Sequence, residues 1–185
     1  MRFKILIPYF FCIIPFVSFT QSKELGEKYK NETKKIVSYI LEDEIKIVSK
    51  TVLINKASIY DLKDCFETIF INSKELTEKD KSDIKIEIPI EFNWTNEYIE
   101  NVKIIENSEF QKIFEDHKNG WENFRKLHGE SILKISRPIF LRNYSICIIS
   151  YSLTYDSLGG FGYTTCYRKE NGKWKAFGTS CGWDS

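Results

Sequence analysis

Histidine is scarce in this 185-residue chain: only His117 and His128 occur, eleven positions apart with Gly120 between them. That spacing lacks the i, i+4 pairing by which one helix holds a metal. There is no Gly-x-Ser-x-Gly elbow and no cysteine with a neighbouring histidine in a nucleophile pattern, so the usual signatures of covalent hydrolysis are missing. No cysteine stands in a C-x-x-C or His-containing spacing, which excludes the common zinc arrangements. Gly159, Gly160 and Gly162 have neither the following helix nor the Lys-Ser or Lys-Thr pair of a phosphate loop. Repeats, low-complexity segments and linkers are absent, and beyond residue 20 no stretch is long and apolar enough to span a bilayer. Nothing in the composition calls for a cofactor or a metal.

What the chain does have begins at its start. Arg2 and Lys4 precede an apolar run from Ile5 to Phe19 that closes on Ser18 and Thr20, the layout of a secretory signal peptide. The fifteen-residue run contains Pro8 and Pro15, so it is too short and too broken for a transmembrane anchor. Cleavage is expected after Thr20, giving a single exported domain from residue 21 to 185 without membrane insertion. Of 27 Lys plus Arg and 26 Asp plus Glu, removal of Arg2 and Lys4 leaves 25 against 26, a net charge near −1. The charges are mixed along the chain, which favours neither nucleic acid nor an anionic membrane as partner.

Periodicity predicts helices in the first half and strands in the second. Asn31 is placed as the cap of a helix carrying Ile36, Val37, Ile40 and Leu41. Lys46 to Asn55 reads as a strand, and Ser58 opens a helix with Ile59, Leu62, Phe66, Ile69 and Phe70 as its apolar stripe, bordered by Cys65. Thr77 with Asp80 signals another helix start, feeding a strand that runs through Ile84, Ile86, Ile88, Ile90, Phe92 and Trp94. Ser108 and Gln111 form a capping box ahead of Phe110, Ile113 and Phe114, with Asn119-Gly120 breaking the helix before Trp121, Phe124 and Leu127. Then Ile132 to Phe140, Tyr144 to Tyr155, Phe161 to Arg168 and Lys173 to Thr179 read as four strands. The expected fold is α+β, with helices packed on one face of a C-terminal antiparallel meander of about four strands.

Asn171-Gly172 is a type I′ hairpin signal that sets Lys169 opposite Trp174 and Tyr167 opposite Ala176. A five-residue loop at Asp156 to Gly160 then sets Tyr151 opposite Thr165 and Ile149 opposite Tyr167. One face collects Cys147, Ile149, Tyr151, Leu153, Tyr163, Tyr167 and Trp174 and reads as core. Cys166, Phe177 and Cys181 point the other way, with Cys166 opposite Phe177. Export and an even number of mature cysteines suggest disulfides, and parity prefers Cys65 with Cys147 and Cys166 with Cys181.

The C-terminal half resembles a family of uncharacterised exported bacterial proteins. The resemblance rests on Gly120-Trp121 with Phe124, Ser136-Arg137-Pro138 with Phe140, a glycine-rich loop, Lys169-Glu170-Asn171-Gly172-Lys173-Trp174, and Trp183 with Ser185. It covers roughly residues 108 to 185 and implies export but no activity. Relatives often carry a Cys-Gly-Gly-x-Cys-Gly loop where this chain has Ser157-Leu158-Gly159-Gly160-Phe161-Gly162.

Two functional readings follow. The first is a non-catalytic exported binding or interaction module using the loop residues Asp156, Gly159, Gly160 and Phe161, with the N–H groups of Gly159, Gly160 and Gly162 as a candidate anion nest. The second is a small periplasmic hydrolase using His117 and Asp116.

Overall fold

Apolar residues fill both parities of the central strands, which forces a sheet covered on both faces. The computed structural model describes residues 14–45, 50–57, 65, 67–71, 73–87 and 91–185. Strand β1 (Thr51–Ile54) is buried at every position, and β5 (Ile146–Thr154) at every position but its last. With β2 (Lys103–Ile105), β3 (Ser131–Ile135), β4 (Ile139–Leu141), β6 (Gly160–Glu170) and β7 (Lys173–Asp184) they form a seven-stranded sheet. The order is β2-β1-β3-β5-β6-β7, with β4 also paired to β5. β1 runs parallel to β2 and β3, and all other pairs are antiparallel. The fold is α+β, but the meander is enlarged by two parallel strands, β1 and β2, that precede it in the chain.

Helices cover both faces, not one. Leu53, Leu133, Cys147, Ile149, Tyr151, Leu153, Tyr167 and Trp174 share a core with Ile36, Val37 and Ile40. The opposite face carries two smaller cores. One joins Ile146, Ile148 and Cys166 to Cys65, Ile69 and Ile84; the other joins Val52, Ile54 and Ile132 to Phe124 and its ring neighbours. The aromatic face expected from parity is therefore core, with Tyr163 half-buried against it.

The two hairpins test register separately. Asn171 (φ 51°) and Gly172 (φ 81°) make the tight turn, and Lys169 faces Trp174 and Tyr167 faces Ala176 as expected. At the other hairpin Thr154 pairs with Gly160, so Tyr151 meets Tyr163 and Ile149 meets Thr165, two residues from the expected partners. A two-residue slip preserves parity, so every side chain keeps its face. An irregularity between Cys166 and Tyr167 puts Cys166 opposite Gly178 instead of Phe177. The expected strand from Ile132 to Phe140 is split in two because Pro138 has no N–H for the ladder. Ser136 spans the break: its N–H donates to the Ser150 carbonyl (2.8 Å), and its hydroxyl accepts the Ser150 N–H (2.9 Å).

Helix α1 (Ile14–Tyr39) passes without interruption through Thr20 and Asn31, and Ile40–Ile45 follows as a π-helical turn. Asn31 is thus not a cap, since no proline interrupts Gln21 to Lys30. The helix docks through Tyr29, whose hydroxyl donates to the Pro138 carbonyl (3.1 Å), and through an ion pair between Glu32 and Lys169. Burial pushes the Glu32 carboxyl up, but hydrogen bonds from Lys169 and Lys35 outweigh it and hold the group below its ordinary range. The expected signal segment lies largely in residues 1–13, outside the described residues, as do 46–49 of the first expected strand and Ser58, Ile59, Leu62 and Phe66 of the next helix.

Helix α2 (Glu78–Glu87) overturns the strand expected from Ile84 onward; residues 88–90 lie outside the described residues. Alternation failed here because its members serve different faces: Ile84 packs with Cys166 on one side of the sheet, Trp94 with Ile135 on the other. The Thr77–Asp80 start is real, with the Thr77 N–H and hydroxyl each donating to Asp80 Oδ2 at 2.7 Å and the Asp80 N–H donating to Thr77 Oγ1 at 3.3 Å. Asp80 is buried and accepts Arg142 Nη2 at 2.7 Å, which ties α2 to the turn after β4. Burial alone raises the Asp80 carboxyl, yet the hydrogen bonds from Arg142 and Thr77 win and lower it from 3.8 to about 2.

A carboxylate with a depressed folded-state pKa contributes stability above its unfolded value and loses it as pH falls through the folded one. Asp80 should therefore supply about 2 kcal/mol at neutral pH, lost between about pH 4 and pH 2. Urea unfolding of wild type and Asp80→Asn across this range checks it: the difference at pH 7 should shrink steadily on acidification.

Helices α3 (Asn107–Phe114) and α4 (Gly120–Leu127) cover the remaining sheet face. Ser108 does not cap α3. Asn55, just past β1, does so from another element: its Oδ1 accepts the Asn107 N–H (2.8 Å) and its Nδ2 donates to Glu106 Oε2 (2.5 Å). Gly120 begins α4 where a Cβ would lie 2.9 Å from Phe114 Cδ1, so the break between the helices is a close packing of Phe114 on backbone. Leu127, expected on the apolar stripe, is exposed.

The disulfide joins Cys65 to Cys181, while Cys147 and Cys166 are free and buried. Both preferred pairings are therefore corrected. Cys65 packs on the face opposite Cys147, and Cys166 sits beside Gly178, three residues short of Cys181. A bulge between Gly162 and Thr164, with Cys181 at φ 52°, turns Cys181 out of the ladder toward Cys65.

Candidate functional site at the end of the β5 and β6 hairpin

The loop between Thr154 and Gly160 is held by its own polar groups. The N–H groups of Tyr155 (3.0 Å) and Asp156 (3.3 Å) both donate to the Gly159 carbonyl, and the Ser157 N–H donates to Asp156 Oδ1 (2.6 Å). Gly160 exchanges backbone bonds with Ser185, at 3.2 and 3.0 Å. From α4, Arg125 Nη2 donates to the Tyr155 carbonyl (2.9 Å) and lies 3.8 Å from Asp156. With these N–H groups engaged, the loop does not offer the free run that an anion nest needs.

Its glycines serve the packing of aromatic rings. Gly159, Gly160 and Gly162 all lack the positive φ that Gly172 has. A Cβ on Gly159 would fall 2.4 Å from the Tyr155 ring. One on Gly160 would fall 2.6 Å from the Leu153 carbonyl oxygen of the neighbouring strand and 3.1 Å from Trp183 Cη2, and one on Gly162 2.5 Å from Trp183 Nε1. Atoms at two ends of the indole thus sit over alternate residues of β6, and the ring lies along the strand. Trp183 (44 % exposed), Tyr155 (46 %) and Leu158 (84 %) are left at the surface. Of the residues singled out from the sequence, Asp156 is exposed, Gly159 lies under a ring, Gly160 is buried, and Phe161 is half-buried against the main core beside Tyr163. Tyr155, Leu158, Arg125 and Trp183 were missed as a group; the signal available was a run of glycines near aromatics in two separate segments.

The histidines occupy unlike places. His117 is exposed in the turn between α3 and α4. Asp116 beside it accepts the Lys118 and Asn119 N–H groups and the Asn119 side chain at 3.0–3.2 Å, and chiefly the Asn119 bonds hold its carboxyl below the usual range. His128 is buried and stacks on Phe124, ring centroids 5.6 Å apart. Burial pushes the Cys166 thiol up to about 12 and the Cys147 thiol well above its ordinary value, so neither supplies a thiolate at neutral pH. No group of His, Cys, Asp and Glu among the described residues is arranged to hold a metal ion.

Two surface cavities flank α1, of about 670 and 560 Å³, and share Lys34, Ser38 and Glu42. The larger is closed on its far side by Tyr98 to Val102, where Lys34 pairs with Glu100 at 3.0 Å. His117 lines neither. No protein-family model, curated protein or solved structure matches this chain.

Proposed function

We propose that the protein is an exported, non-catalytic binding module that meets its partner at the β5–β6 end of the sheet. The observation that carries this reading is the exposure of Trp183, Tyr155 and Leu158 at the end of a hairpin whose Tyr155, Asp156, Ser157 and Gly160 N–H groups are all hydrogen-bonded. Ordered surface loops of this kind present binding groups at little entropic cost. Export is supported by the basic head and apolar run at residues 1–20 and by the Cys65–Cys181 bridge, which suits an oxidising compartment. No described helix is long and apolar enough to cross a membrane.

Capture from an envelope extract of the producing cells by wild type and by Asp156→Ala, Leu158→Asp tests the reading. Both positions are exposed, so the fold should survive, and partner recovery should fall about tenfold. Equal recovery would place the interaction elsewhere. Turnover of a small-molecule panel that His117→Ala abolishes would replace this reading with the hydrolase one.

A further inference from the structure

We propose that Asn171 is a site of spontaneous covalent modification: its side chain closes on the Gly172 nitrogen to a succinimide, which water opens to aspartate or isoaspartate. The second Asn-Gly pair of the chain, Asn119-Gly120, is protected by the fold. Water is the only co-reactant. The Gly172 amide gives its proton to hydroxide and attacks Asn171 Cγ; a new N–C bond forms, and the side-chain nitrogen leaves as ammonia with a proton from water. Water then adds to one of the two ring carbonyls and breaks its bond to the ring nitrogen. Opening at the side-chain carbonyl gives aspartate. Opening at the backbone carbonyl gives isoaspartate, whose chain runs through Cβ and Cγ and is longer by one carbon. The reaction therefore needs a next residue without a side chain, an unengaged N–H on it, and a carboxamide free to swing over that nitrogen.

Asn171-Gly172 meets all three needs. Both residues are exposed at the tip of the β6–β7 hairpin, and nothing lies within 4 Å of the place a Gly172 Cβ would take. Among the described residues the Gly172 N–H and the Asn171 carboxamide have no hydrogen-bond partner. Swinging the carboxamide over the nitrogen disturbs only the closing pair of the ladder, Glu170 with Lys173, and ladder ends open locally at little cost.

Asn119-Gly120 shares the sequence and not the setting. Asn119 Nδ2 donates to Asp116 Oδ2 at 3.0 Å and the Asn119 N–H to Asp116 Oδ1 at 3.1 Å, which holds the carboxamide back along the turn. The Asn119 carbonyl accepts the Asn123 N–H at 2.9 Å, and Gly120 is buried with Phe114 against it. Cyclisation there must break the Asp116 bond, distort the start of α4 and move a packed ring.

The two products differ in effect. Asn171 at φ 51° and Gly172 at φ 81° set Lys169 opposite Trp174, and Lys169 pairs with Glu32 of α1. An extra backbone carbon destroys that turn, so isoaspartate loosens the docking of α1 on the hairpin. Aspartate suits the same turn and leaves it intact.

Incubation of the full mature, oxidised protein at mildly alkaline pH tests this, read by peptic peptide mapping and by labelling with an isoaspartate-specific methyltransferase. In the folded protein Asn171 should convert at least tenfold faster than Asn119, and in urea the two rates should come within a few-fold of each other. Asn171→Gln, whose longer side chain must close a six-membered ring, should abolish conversion at 171 and leave Asn119 as it was. Asp116→Ala, checked for folding by thermal melt, should speed Asn119 severalfold. The isoaspartate fraction should unfold at a lower urea concentration than fresh protein, and Asn171→Asp at nearly the same one. Comparable rates at the two sites in the folded protein, an Asn119 no faster in urea, or a folded Asp116→Ala in which Asn119 stays slow would overturn the selection by the fold. An isoaspartate form with an unchanged urea midpoint would overturn its effect on α1.

Discussion

Replacing Cys65 and Cys181 together by serine should destabilise the oxidised protein by about 4 kcal/mol, the largest loss expected from any pair of small substitutions here. The bridge spans 116 residues, so it closes most of the chain into one loop and removes much of the freedom of the unfolded state. It also ties the segment carrying Cys65 and Ile69 to β7, at the far edge of the sheet from β2. Urea unfolding with and without reductant measures the effect, and the double variant should be indifferent to reductant. Non-reducing peptide mapping should recover a Cys65–Cys181 pair with Cys147 and Cys166 alkylated only after unfolding. A Cys166–Cys181 peptide would show that β7 takes another register.

Trp94→Ala should cost about 4 kcal/mol, in the range for deleting a fully buried aromatic. Trp94 is 1 % exposed, makes edge contacts with Phe92 (4.9 Å) and Tyr98 (6.3 Å), and donates Nε1–H to the Ile135 carbonyl at 2.9 Å. That last bond joins the segment after α2 to the end of β3, where the ladder with β5 gives way to the Ser136 break. Trp94→Phe keeps most of the apolar contact but leaves the carbonyl without its donor, and should cost about 1–2 kcal/mol. A shift in urea midpoint with unchanged slope for both variants would confirm a loss of native packing; near-neutral behaviour of Trp94→Ala would show that the ring is not part of the core.

The candidate site was legible only in part. Asp156 and the glycines mark the loop from sequence because turns need such residues, but in the structure these glycines also make room for rings and for the neighbouring strand. Gly159, Gly160 and Gly162 accept rings, and one of those rings, Trp183, arrives from twenty residues further along the chain. Period and spacing are local measures and carry no information on which distant side chain lies over a glycine. His117 and Asp116 attracted attention as neighbours, yet adjacency says nothing of burial, and the carboxylate is occupied within its own turn.

Local chemistry determined the elements whose causes are local: the Asn171-Gly172 turn, the Thr77–Asp80 helix start, the break at Asn119-Gly120, and the division of β5 into two apolar parities. In each, a backbone preference or a hydrogen bond acts within a few residues. The tertiary structure alone decided what covers each parity, and hence the disulfide. Ile84 and Trp94 read as one strand until opposite faces of the sheet claimed them, and Cys65 found Cys181 because a bulge and a helix on the second face brought them within bonding reach. Burial is a property of the assembled layers, and a two-period pattern that satisfies one face is equally good, read alone, for the other.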